Sequence, residues 1–172
     1  LKNKIESFYL LNESMPLRYT DFPLPRKKYI PGKGIHPKKD PKSFRVFQIE
    51  FSKEPFNPNE WYKSDKYLYA VDLFNYGYWW EAHEIFELLW IETGRTNNLA
   101  KFFQGIIQIA AALLRNESSS ELPPILNKAF ANLSKQSGVF LGIEINMFLV
   151  DVKKYFNQKI TASPKISLLM EL

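Results

Sequence analysis

A chain of 172 residues with 45% hydrophobic content suits one domain with a sizeable core, and the absence of cysteine excludes disulfides, thiolate metal sites and cysteine nucleophiles while fitting a reducing, cytoplasmic compartment. No apolar stretch approaches the roughly 20 uncharged residues of a membrane span, and the opening LKNKIESFYLLNES carries acids and no signal-like apolar block. The formal charge of +5 is uneven: residues 1–60 hold 12 Lys or Arg against 7 Asp or Glu, while residues 61–172 hold 11 against 11, so the whole excess lies in the first third.

That excess is concentrated between Leu24 and Arg45, where Arg26, Lys27, Lys28, Lys33, Lys38, Lys39, Lys42 and Arg45 face the single acid Asp40. Pro23, Pro25, Pro31, Pro37 and Pro41, with Gly32 and Gly34, forbid a continuous helix or central strand, so an extended arm with turns is expected, anchored by Tyr29 and Ile30. Such an arm is either a solvated segment or, with lysines beside turn glycines, a cradle for a small anion. Nucleic acid ranks below a small anion, because base-stacking sites need exposed rings and the arm offers mainly Tyr29 and Phe44.

Two units are therefore expected: residues 1–58, an N-terminal helix and the basic arm packed on the body, and residues 59–172, a helical domain. Phe44 to Phe51 (FRVFQIEF) alternates enough for a short strand or an extended strip laid on that domain. Helical spacing then predicts five helices, about 60–75, 78–92, 99–115, 122–136 and 143–157, with Gly77, the TGRTNN turn, Pro123–Pro124 and Gly138 or Gly142 as breaks. Short connections favour antiparallel neighbours, hence an all-α bundle, and its aromatic content of 16% leaves a homodimer open. The tail 158–172 receives no assignment.

Helix two carries the unusual chemistry. At about 100° per residue, Trp79, Trp90, His83, Glu87, Trp80 and Glu84 share one arc, and the rest of the circumference is apolar except for Glu81, which predicts a buried helix. Carboxylates in that setting need partners. Gln104 and Gln108, one turn apart on helix three with Gly105 between them, are candidates, giving a polar network of His83, Glu84 and Glu87 with the two glutamines, and Glu81 is counted beside them as a candidate ligand-binding residue. The alternative is a divalent-metal site in which neutral His83 and Glu87 are ligands and Glu84 a general base. This spacing is less specific than H-E-x-x-H, since the fourth residue after the histidine is a glutamate.

Asp72 to Trp90 (DLFNYGYWWEAHEIFELLW), Gly94–Arg95 and Phe102 to Leu114 (FFQGIIQIAAALL) resemble a helical domain-of-unknown-function family, number 309, over about residues 60–157. Its phenylalanine-asparagine, glycine-aromatic, E-A-H-E and glutamine-glycine elements fall on Phe74, Asn75, Gly77, Tyr78, Trp79, Glu81, Ala82, His83, Glu84, Glu87, Trp90, Gln104 and Gly105. Tyr29, Pro31, Gly32, His36, Pro37, Asp40 and Pro41 also resemble an N-terminal extension found in part of the family, although Lys42 and Ser43 stand where a glycine-histidine pair is expected. The resemblance implies an all-helical fold and no established activity, so it transfers no catalytic residue. It does place both histidines in motifs: if the arm folds over helix two, His36, His83, Glu84 and Glu87 could line one pocket, with Arg26, Lys28 or Lys33 presenting charge to an anion.

Two functions are thereby expected to compete: a binding or interaction module for a small anionic ligand or a protein partner, and a metal-dependent hydrolase in which the arm holds a phosphate-bearing substrate.

Overall fold

The computed structural model describes residues 15–39, 49–116, 123–158 and 162–170. The expected N-terminal helix, Asp40 to Arg45 of the arm, and most of the 44–51 strip lie outside these residues.

The body is an all-α bundle. Pro58–Lys63 forms a 3₁₀ turn with Asn57 as its cap, and Glu60 inside it is non-helical, so the first α-helix, α1 (Asp65–Asn75), starts five residues later than its spacing predicts. Ser64 re-initiates the chain: its side chain accepts from the Tyr67 N–H and so satisfies an amide of the first turn. Every residue of α1 from Tyr67 to Asn75 is buried. Gly77, at φ +79°, supplies the left-handed turn that closes α1 and lets α2 (Trp79–Glu92) begin at once. Gly94 and Arg95, both at positive φ, turn the chain into α3 (Asn98–Asn116), where the Asn97 side chain accepts from the Ala100 N–H at 2.8 Å.

Helix α3 packs against both α2 and α4 (Ile125–Leu133), and α1 packs on α2. Between α4 and α5 (Ile145–Gln158) the glycine-bounded break is a two-residue hairpin, β1 (Val139–Phe140) and β2 (Ile143–Glu144), rather than the start of the fifth helix. Leu141 and Gly142 both sit at positive φ, the geometry a two-residue hairpin loop demands. Tyr67, Tyr69, Phe74, Phe86, Phe102 and Phe103 are fully buried, which accounts for the aromatic-rich composition as core. Among the described residues no helix is long and apolar enough to cross a membrane.

Two polar side chains of α1 hold segments distant in sequence. Buried Asp72 accepts from the Tyr19 N–H at 2.8 Å, the Thr20 N–H at 2.9 Å and the Thr20 hydroxyl at 2.7 Å, and pairs with Arg18 at 3.1 Å. Asn75 does the same for the tail, which packs Ile166 and Leu168 into the core and bridges Leu168 to Ile143. Phe51 lies edge-on to Phe22, with centroids 5.7 Å apart, and against Tyr69 at 5.9 Å, so the described end of the 44–51 strip rests on the body without joining a ladder.

Candidate metal centre on helix α2

The burial of α2 is more one-sided than its apolar circumference predicts. Trp79, Trp80, Glu81, Ala82, Ile85, Phe86 and Leu89 are buried, but Leu88 and Ile91 are exposed and His83, Glu84 and Glu87 are half-buried. The bundle covers α2 only where α1, α3 and the arm reach it, and the His83–Glu87 stripe runs along the margin of that cover.

Along this margin the three side chains converge. His83, Glu84 and Glu87 each place one ligand atom so that all lie within 4.8 Å of one another. His83 Nδ1 is 3.5 Å from Glu84 Oε1, with the histidine side chain 28% and the glutamate side chain 11% exposed. Nδ1 is buried and makes no hydrogen bond among the described residues. The sequence spacing points to His83 and Glu87 as a ligand pair with Glu84 as a base; in the structure Glu84 lies in the same cluster as these two. Neighbouring positions on a helix diverge by about 100°, but long glutamate side chains can swing back across that angle.

Beside His83 opens a cleft of about 280 Å³, walled by Pro31 of the arm, Trp80, Ala111, Leu114 and Arg115. Arg115, in the last turn of α3, was not anticipated from sequence, yet the signal existed: it continues the helical stripe of Gln104, Gln108 and Ala111.

Glu81 has a different role from its neighbours. It is fully buried, and its Oε1 accepts from the Tyr29 N–H at 3.0 Å, fastening the arm to α2. The rings of Tyr29, His36 and Trp80 then meet edge-on, at 5.1 Å for Tyr29–His36, 5.7 Å for His36–Trp80 and 5.6 Å for Tyr29–Trp80. Tyr29 and His36 thus lie against α2, but His36 enters a ring cluster and is not among the donors grouped with His83.

The expected network between α2 and the glutamines gives way to another pairing. Gln104 and Gln108 accept from Asn132 Nδ2 at 3.3 and 3.1 Å, tying α3 to α4. Gly105 explains this preference: a Cβ there would lie 2.6 Å from Leu133 Cγ, so α4 sits close enough for Asn132 to span both amides. The basic residues also separate from the histidine. Arg26, Lys28 and Lys33 do not line the cleft beside His83: Arg26 and Lys33 are exposed, and Lys28 lies over the ring of Trp79, the first residue of α2, with Nζ 5.5 Å from its centroid. The residues expected to line a single pocket divide between two cavities: His83 lines one beside Arg115, and Lys28 lines another at the start of α2.

Residues 67–120 match the sequence model of a family described as a domain of unknown function, DUF309. The match spans α1, α2 and α3, and so includes His83, Glu84, Glu87 and Arg115 but not the arm. No curated protein and no solved structure matches the chain.

Proposed function

We propose, for a chain assigned by residues 67–120 to the DUF309 domain of unknown function, that it is a binding module organised around a divalent cation held by His83, Glu84 and Glu87. The supporting observation is convergence: an imidazole nitrogen and two carboxylate oxygens within 4.8 Å on a half-buried face. One neutral imidazole with two carboxylates suits zinc, manganese or iron(II), three donors leave coordination positions open, and His83 also lines the cleft of Trp80 and Arg115. A cation would also offset the cost of holding two carboxylates close together. The cysteine-free sequence fits a cytoplasmic setting for such an ion site.

Elemental analysis of the purified, untagged protein beside His83→Ala, with thermal melts in chelator and in added zinc, manganese and iron, tests this reading. A stoichiometric metal that disappears with His83, and a melting temperature that rises with free metal, are the expected results; at a hundredfold excess over Kd the gain is about 2.7 kcal/mol. Identical melts in chelator and in every metal, with no metal retained, would overturn it.

A further inference from the structure

The second cavity is larger than the cleft beside His83 and differs from it in charge. It measures about 780 Å³ and opens between the segment from Met15 to Tyr19, the α1–α2 turn from Asn75 to Trp79, and the tail around Ser163 and Lys165. Three stretches far apart in sequence make it, so it exists only in the folded chain. Among the described residues, the charged ones that line it are Lys28 and Lys165.

Both ammonium groups are placed at the same turn. Lys165 Nζ donates to the Asn75 carbonyl at 2.6 Å and to the Ser163 hydroxyl at 3.0 Å. Lys28 Nζ stands over the Trp79 ring and 3.8 Å from where a Cβ on Gly77 would be. Helix α2 begins here without any side-chain cap, so its positive dipole end faces the same turn. Trp79 is only 6% exposed, lines the cavity, and its indole N–H has no acceptor among the described residues. Met15, Leu17 and Tyr76 supply apolar walls.

We infer that this cavity binds a phosphate monoester with an aromatic or apolar body, the phosphate lying between Lys28 and Lys165 at the start of α2. Two cations and a helix N-terminus match a group that carries close to two negative charges at neutral pH, and Trp79, in the cavity wall, is placed to report its entry. The volume falls within the range of small-molecule sites. This inference is independent of the cation at His83, which lies at the other cavity.

Calorimetric titration of the full chain with phenyl phosphate tests it, the Trp79 indole N–H resonance being followed in parallel and identified by its loss in Trp79→Phe. Benzoate and phenol serve as the monoanionic and neutral comparisons. Phenyl phosphate is expected to bind and to shift the Trp79 signal, benzoate to bind more weakly, and phenol not at all. Lys28→Met should weaken binding roughly tenfold or more, the scale of one charge-assisted hydrogen bond, while Lys33→Met, which removes the same charge from an exposed position of the arm, should retain it. Lys28 is the deciding position because it is exposed, whereas Lys165 also fastens the tail. Equal binding of benzoate and phenyl phosphate would overturn the phosphate assignment. An unmoved Trp79 signal, or equal losses in Lys28→Met and Lys33→Met, would overturn the site.

Discussion

Asn75 grips Ile166 from both sides: its Nδ2 donates to the Ile166 carbonyl at 2.8 Å and its Oδ1 accepts from the Ile166 N–H at 2.7 Å. A side-chain amide thereby imitates a strand neighbour, and a segment 91 residues away is held on the end of α1. Asn75→Ala leaves two buried backbone groups without partners, and its cost should be about 2 to 4 kcal/mol. Hydrogen exchange should show the amides of 166–168 losing protection while α3 keeps its own; unchanged protection at Ile166 would contradict the arrangement.

The Glu81–Tyr29 bond makes a similar forecast for the arm. Glu81→Ala should destabilise the fold by about 1 to 3 kcal/mol and free the Tyr29 amide, because the carboxylate that accepts it at 3.0 Å is gone. Since Pro31 walls the cleft beside His83, limited proteolysis between residues 26 and 36 should accelerate in this variant.

Close packing of α3 on α4 depends on Gly105. An added methyl would meet Leu133 Cγ at 2.6 Å and the Ala129 carbonyl at 3.3 Å, and Leu133 is fully buried with little room to move. Gly105→Ala should therefore cost about 1 to 3 kcal/mol by overpacking, despite the helix propensity it gains. A melt equal to or above that of the unaltered protein would show that α4 yields instead.

Two phenols set the alkaline limit. Burial pushes Tyr67 well above its ordinary value of 10, with a smaller contribution from Tyr19, and burial likewise raises Tyr69, partly offset by Arg18. A phenol whose folded value is raised favours the native state fully below its unfolded value, and this stability is lost as pH climbs through the folded one. Denaturant melts should thus be nearly flat with respect to these groups below pH 10 and fall above it. Tyr67→Phe should start lower, by about 1 to 3 kcal/mol for the Leu141 carbonyl left behind, but decline less steeply above pH 10.

Where sequence expectation and structure part, particular residues show why. Helix two, an apolar run bounded by Gly77 and the TGRTNN turn, is legible to within a residue at its start. The hairpin at Val139–Glu144 was not, because positive φ at Leu141 is invisible in a leucine. A helical wheel sets Glu81 apart from Glu84 and Glu87, but it does not tell that Glu81 fastens the arm while the other two converge with His83.

The sequence by itself determined the all-α class, the helix order and the concentration of chemistry on α2, since apolar periodicity and glycine breaks act over a few residues and need no partner to be read. Tertiary structure alone decided which donors meet. Gln104 and Gln108 turn to Asn132 because Gly105 brings α4 near; Lys28 joins Lys165 because Asn75 holds the tail at the α1–α2 turn; and Arg115 reaches the His83 cleft because α3 packs along α2. Each of these depends on contacts between segments tens of residues apart, whose geometry is set by the packing of the whole core rather than by any local run of residues.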